Sequence, residues 1–325
     1  MTSTTLTLLV ILLAAEGDRP WTSPPSATPE YGHGLEAEET LAGWISLFDG
    51  KTTFGWKDAR VADGTLEAGQ TTSVFADCEL RVDAAAGGQI KLGSLPIDVK
   101  PGISEFQFTK TRRGIIRLGS GIKIKSLLIR PTELRPLFNG TDLAGWKPLP
   151  HPRLPAEKQT RWEVTDGAIR GTGGPGGLEL QERQFDDLVL QVLIRTRAKL
   201  TNGGVFIRAI PRDFMNGYEL QVFNACYDRD PAQPAKYSTG AIDDRQLARR
   251  LVSRDEEPFV MTILAVGPHL ATWVNGAQMT DWTDTREPHE NPRQGLRLKA
   301  GALQLQAHDP DTHIEFRKVE IAEIK

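Results

Sequence analysis

The stretch FNGTDLAGW, residues Phe138 to Trp146, has a looser copy ninety residues earlier in FDGKTTFGW, Phe48 to Trp56. Both fit F-x-G-x-x-x-x-G-W, and the residues that follow correspond as well. Asp63-Gly64-Thr65-Leu66 answers Asp166-Gly167-Ala168-Ile169, and Phe75-Ala76-Asp77-Cys78-Glu79-Leu80 answers Phe185-Asp186-Asp187-Leu188-Val189-Leu190. Each copy closes on an alternating strand, Ile122-Lys123-Ile124-Lys125 in one and Ile314-Glu315-Phe316-Arg317 in the other. Self-similarity at a fixed offset sets the organisation of a chain before any single element is assigned. It predicts two related β units of unequal length, an abbreviated one over 41–131 and a longer one over 132–325.

Outward from the motif, strand signals dominate. Val189-Leu190-Gln191-Val192-Leu193-Ile194, Gly204-Val205-Phe206-Ile207-Arg208, Tyr218-Glu219-Leu220-Gln221-Val222-Phe223 and Phe259-Val260-Met261-Thr262-Ile263-Leu264 are rich in β-branched and aromatic residues. Gly, Pro, Asn and Asp break them apart. Asn275-Gly276 after Thr272-Trp273-Val274 is the preferred pair for a tight two-residue hairpin turn. Many short strands at regular spacing predict an all-β sandwich or jelly roll rather than a parallel α/β sheet. Asp243 to Arg250 reads as one short helix or a loop.

Before the first unit, Leu6 to Ala15 is an apolar run of ten residues, too short for a bilayer that needs about 20. It reads as a secretory signal over 1–17, with small residues Ala15 and Gly17 before the cut, although the leading MTSTT lacks positive charge. A secreted or periplasmic protein is therefore expected, a buried N-terminal strand being the alternative, and no later segment is long enough to span a membrane. Residues 18–40, with Pro20, Pro24, Pro25, Pro29 and several acidic residues, read as a linker.

The 325 residues carry a net charge of -3, with 39% apolar and 25% charged residues. That is ordinary globular chemistry with enough chain for a sizeable core. It lacks the basic footprint of a nucleic-acid binder, so an oligosaccharide, glycoside or other small molecule is the expected partner. Only Cys78 and Cys226 occur, one in each unit, and they read as buried thiols rather than as a disulfide framework.

Alternation sends neighbouring residues of a strand to opposite faces. Tyr218, Leu220 and Val222 then share an apolar face, with Glu219, Gln221 and Phe223 opposite. Leu303, Leu305 and Ala307 are likewise apolar, with Gln304, Gln306 and His308 opposite and Asp309 next. Phe206 and Arg208 fall on one side of their strand. A solvated sheet face accounts for some of this. The mixture of Arg, Glu, Gln, His and Asp instead suits directed recognition of sugar hydroxyls. Trp146, Trp162, Trp273 and Trp282 are candidate platforms for pyranose rings, each weighed against a place in the core.

These residues, with Trp162-Glu163-Val164-Thr165-Asp166-Gly167, Asn202-Gly203-Gly204-Val205-Phe206-Ile207-Arg208, Gly217-Tyr218-Glu219-Leu220-Gln221-Val222, Thr239-Gly240-Ala241-Ile242, Trp273-Val274-Asn275-Gly276 and His308…Ile314-Glu315-Phe316-Arg317, make the second unit resemble the 3-keto-disaccharide hydrolase family. The resemblance runs from about residue 135 to the C-terminus. It implies a concanavalin A-like β-sandwich and cleavage of glycosides already oxidised to a ketone at C3, with a separate sugar 3-oxidase as the upstream partner through its product.

The chemistry so implied needs a base for the acidified C2 proton, an acid for the leaving oxygen and a cation for the enolate. On the matching positions Glu219 is the expected base and His308 or Asp309 the acid, while Arg208 holds the enolate oxygen. Gln221, Gln306, Tyr218, Asn202 and Trp273 bind the sugar. A direct route with paired carboxylates would need a second carboxylate about 5 to 9.5 Å from Glu219.

Two departures from the family pattern stand out. Gly203 replaces the usual Ser, which removes a hydroxyl, and Asp309 follows His308 where Gly is usual. The first unit has Gly87-Gly88-Gln89-Ile90-Lys91 where the Arg208 strand would fall and no Tyr-Glu-Leu-Gln, so no catalysis is expected of it. No cofactor is expected either. Asp228 and Asp230, Asp243 and Asp244, and Asp309 and Asp311 offer oxygen ligands for calcium, but none has a recognised spacing. The other reading of the whole chain is a non-catalytic carbohydrate-binding or matrix module.

Overall fold

The computed structural model describes residues 19–25, 30–110, 112–181 and 183–325. The expected signal over 1–17 lies outside them. The two copies of F-x-G-x-x-x-x-G-W adopt one local geometry. Gly50 and Gly140 sit at φ 77° and 80°, and Gly55 and Gly145 both at 81°, a left-handed conformation that glycine adopts without a Cβ clash. Asp49 Oδ1 accepts from the amides of Lys51 and Thr52, as Asn139 Oδ1 does from Thr141 and Asp142. The indole N–H of Trp56 donates to the Leu47 carbonyl, and that of Trp146 to Leu137. Each motif is thus a loop that locks a tryptophan beneath the entry of its unit.

The second unit is a β-sandwich of antiparallel sheets, as the expected fold class requires. Its five-stranded front sheet runs in the order Trp146–Pro150, Gly176–Leu180, Ala302–Ala307, Asn202–Ala209, Tyr218–Phe223. Its back sheet is ordered Arg161–Thr165, Ala168–Thr172, His313–Glu323, Leu188–Thr196, Pro258–Val266, His269–Val274, Ala277–Thr283, with Arg135–Pro136 paired to His313–Glu323. Between them lies one core that includes Leu178, Val192, Val205, Leu220, Ile263, Leu305 and Phe316. The hairpin at Asn275-Gly276 is present, with Val274 opposite Ala277. Asp243 to Arg250 forms turns rather than a helix.

Residues 45–131 form two further antiparallel sheets, one built around Cys78–Ala86 and Lys123–Pro131 and the other around Gly88–Leu92 and Ile116–Leu118. Their core does not end at the unit. Ile45, Phe48, Leu66 and Leu127 share a cluster with Val189, Leu264, Val266, Ala271 and Trp273 from the outer face of the back sheet. That sheet is buried on both faces at Pro258–Val266, which is why this strand reads as a nearly continuous apolar run, interrupted by Thr262, and not as an alternation. Both cysteines are buried free thiols.

The Pro-rich segment expected to be a linker is attached to the body in its described parts. Trp21–Thr22 pairs with Cys226–Tyr227, the Gly32 amide donates to the Asn275 carbonyl at 2.9 Å, and Leu35 packs with Trp44 and Leu128. A short helix, Ala37–Leu41, closes it, with Glu39 accepting from the Glu36 amide at 3.0 Å.

Candidate active site

The outward face of the front sheet is a grid fixed by strand register. One row reads Glu179, Gln304, Phe206, Glu219, and the next reads Gly177, Gln306, Gly204, Gln221. The glycine at 204 leaves the middle of the second row open. A Cβ placed there would stand 3.1 Å from Gln306 Oε1 and 3.2 Å from Glu219 Oε1. Around this gap Gln221 Oε1, Gln304 Oε1 and both amide atoms of Gln306 are buried without a hydrogen-bond partner. Buried polar atoms are rarely left so, and unpaired ones cost about 1–3 kcal/mol each.

Glu219 is the chemical centre of the grid. It is 4% exposed, and its carboxylate accepts from the Arg293 guanidinium. Arg293 reaches in from the loop after the back sheet, and its Nη1 donates to Asp243 Oδ2 at 2.6 Å while its Nε donates to the Met215 carbonyl at 2.7 Å. Burial pushes the Glu219 carboxyl up to about 7, and the Asp243 carboxylate adds to the rise against the opposing charge of Arg293. Such a group exchanges protons near neutral pH.

At the end of the same face stand His308, Asp309 and Asn202. His308 Nδ1 lies 2.7 Å from Asp309 Oδ1, and the Asn202 amide nitrogen lies 3.3 Å from that same ring atom. The carboxylate of Asp309 holds the imidazole above its ordinary range, with burial opposing and Glu219 and Asp243 assisting. The bond to His308 in turn holds Asp309 below the usual carboxylate range. Occupation of Nδ1 leaves Nε2 as the atom that can give a proton. His308 and Asp309 side chains are 38% and 40% exposed, so this end of the face opens to solvent while Glu219 does not.

The structure brings together Glu219, Gln221, Gln306, His308, Asp309 and Asn202. Three expected site residues lie elsewhere. Arg208 is turned away by a register break between Phe206 and Ala209, where its own φ is 48°. Its guanidinium is buried, donating to the carbonyls of Asp186, Gly267 and Arg297 and to Asp187 Oδ1 at 3.0 Å. A bulge of this kind reverses the alternation on which its assignment rested. Tyr218 faces the core, where its hydroxyl donates to Asp284 Oδ2 at 2.7 Å and accepts from the Arg297 amide at 2.9 Å. Trp273 is wholly buried between the units, its indole N–H donating to the Ser46 carbonyl at 3.1 Å. Trp146, Trp162 and Trp282 also pack on the core.

The sequence gives no sign of Arg293 and marks Asp243 only as one of an acidic pair, because both lie in loops, where no periodicity reports which way a side chain points. Gln304 is legible, since it follows the alternation of Leu303 to His308, whereas Glu179 lies on Gly176–Leu180, a strand the sequence pattern does not single out. Glu179 Oε2 is bound by Gln304 Nε2 at 2.9 Å and by the Arg212 amide at 2.8 Å. It lies three strands from Glu219, about 14 Å at the usual spacing of about 4.8 Å, too far for a carboxylate pair astride one bond. Asp243, tied to Glu219 through one guanidinium, is the nearer carboxylate. No cluster of three or more His, Cys, Asp or Glu suited to a metal occurs among the described residues.

A family model described as 3-keto-alpha-glucoside-1,2-lyase-like domain matches residues 133–322. Among solved structures, a protein of Parabacteroides distasonis ATCC 8503, provisionally named a glycosyl hydrolase, aligns over 58% of this chain and 93% of its own at 18% identity, with a TM-score of 0.46. The carbohydrate-binding module CBM66 of Bacillus subtilis aligns over 54% and 93% at 14% identity and a TM-score of 0.38. A prokaryotic β-1,3-1,4-glucanase from a mouse hindgut metagenome aligns over 59% and 98% at 10% identity and a TM-score of 0.38. No curated protein matches the chain.

Proposed function

The chain belongs to the 3-keto-alpha-glucoside-1,2-lyase-like domain family, and on that premise we propose that it cleaves glycosidic bonds of sugars already oxidised at C3. The observation that carries the reading is Glu219, a buried carboxyl held near pH 7 beside a guanidinium and the unpaired amide of Gln306. Ionised Glu219 takes the C2 proton, which the neighbouring ketone acidifies. The electron pair left on C2 is delocalised onto the C3 oxygen, where Arg293, in place of Arg208, is the available cation. Collapse of the enolate forms the C1–C2 double bond and breaks the bond from C1 to the glycosidic oxygen. His308, charged and oriented by Asp309, gives that oxygen its proton. Water then adds across the enone, so the net reaction is hydrolysis. Gln221, Gln304 and Gln306 supply the hydroxyl contacts.

Export fits this role, because the apolar run Leu6 to Ala15 reads as a signal. Processing and fractionation of the expressed chain would test it, and a cytoplasmic, unprocessed product would reject it. For the reaction, purified protein is incubated with 3-keto-sucrose or 3-keto-trehalose, following monosaccharide release and the enone absorbance. Turnover by wild type and none by Glu219→Gln is expected. Binding without turnover by wild type would make the chain a carbohydrate-binding module instead.

A further inference from the structure

The N-terminal strap lies outside the family segment, yet it brings an aromatic ring to the end of the site. Trp21 is 48% exposed, so a large flat ring with a polar N–H stands open to solvent there. Its ring meets Phe223 at 5.1 Å and 82°, and Tyr237 at 6.4 Å and 84°. Phe223 lies on the strand of Glu219 and Gln221, on the same face, and is paired across to Asn202. From Glu219 to Phe223 is four residues, about 13 Å at about 3.3 Å each, the scale of a disaccharide.

The strap is anchored at several points. Trp21 and Thr22 pair with Tyr227 and Cys226, Thr22 Oγ1 donates to the Cys226 carbonyl at 2.9 Å and accepts from the Arg229 amide at 2.8 Å. Ser23 Oγ donates to Asp255 Oδ2 at 3.4 Å. Beside it opens a cavity of about 620 Å³ lined by Trp21, Ser23, Lys199, Leu200 and Asp255 among others. It offers a ring face, hydroxyl and charged groups together, the chemistry that pyranose rings use.

We propose that Trp21 is the platform for the sugar on the leaving-group side, the second ring of the glycoside cleaved between Glu219 and His308. The assignment of side follows from His308. The proton donor to the leaving oxygen stands with Asn202 at the Phe223 end of the face, so the departing sugar lies towards Trp21 while the keto ring lies over Gly204. The proposal rests on the lyase reading above for its direction, but binding tests it separately.

Trp21→Ala and Trp21→Phe are compared with wild type on a 3-keto-disaccharide and on methyl 3-keto-glucoside, whose leaving group is too small to reach the strap. Trp21→Ala should raise KM for the disaccharide about tenfold with little change in kcat, leave the methyl glycoside unchanged, and be largely rescued by Trp21→Phe. Equal effects on both substrates, or none on either, would overturn it. If wild type turns over neither substrate, the lyase reading fails, and titration calorimetry with the disaccharide still decides the platform: Trp21→Ala must weaken binding, and unchanged affinity rejects it. Unaltered thermal unfolding of Trp21→Ala excludes misfolding as the cause.

Discussion

Glu219 and Arg208 show how differently two charged residues of neighbouring strands are used. The base must be ionised and His308 protonated to act, so with the Glu219 carboxyl at about 7 kcat/KM should rise with pH through that value and fall again as His308 loses its proton, a bell-shaped profile. A rate profile that stays flat from pH 5 to 8 would remove Glu219 from the role. Stability supplies a second readout. The folded pKa lies above the ordinary 4.5, so between these values the folded state binds the extra proton and stability falls as pH rises. The Glu219→Gln variant lacks this term and should gain stability relative to wild type as pH is raised from 5 to 8, as followed by thermal melts. Arg293→Ala should lower kcat about 10²- to 10³-fold by removing the enolate's cation. Arg208→Met should instead leave the kcat of folded protein near wild type. It should cost about 3–5 kcal/mol in denaturant unfolding, since it strands three carbonyls and one bond to Asp187; the reverse pattern would restore Arg208 to the site.

At the scale of the strand, the alternation of Tyr218–Phe223 and Ala302–Ala307 placed Glu219, Gln221, Gln304 and Gln306 correctly, because both strands run unbroken through the front sheet. It failed at Arg208, where the ladder shifts. Trp273, expected at the site by aromatic type and resemblance and not by alternation, lies instead on a sheet whose outer face is covered and not solvated. A single sequence reports period, and it does not report bulges or what lies against a face. One glycine marks the bulge. A Cβ on Gly301 would stand 2.4 Å from the Arg208 carbonyl carbon, a backbone contact that cannot relax by side-chain rotation. Gly301→Ala should therefore destabilise by about 1–3 kcal/mol and weaken the Arg208 cluster. Unchanged stability would mean that the bulge does not depend on this approach.

Across the whole molecule, the joined core decides how the units depend on one another. The doubled motif predicted two β units, and each copy builds the same tryptophan-locking loop, but its sequence carried no sign that the units share apolar surface. Trp273, Ala271, Leu264 and Val189 leave water only because the first unit covers them. We therefore assign the abbreviated unit the task of sealing the back sheet that supports the front one. Residues 132–325 expressed alone should expose this surface and aggregate, or lose stability strongly, while the full chain melts in one calorimetric transition. A soluble monomer of 132–325 with the melting temperature of the parent would show two independent folds. Trp273→Ala in the full chain should cost about 3–5 kcal/mol. The seam also contains His269, with Ser73 Oγ at 3.2 Å and Asp281 Oδ1 at 3.4 Å from its Nε2. Burial holds its folded pKa below 6.5, so the unfolded chain takes the proton first, and the seam's contribution is present above about 6.5 and lost as pH falls through the folded value. His269→Gln should flatten that acid loss in melts of the full chain, and a variant as acid-sensitive as wild type would place the titration elsewhere.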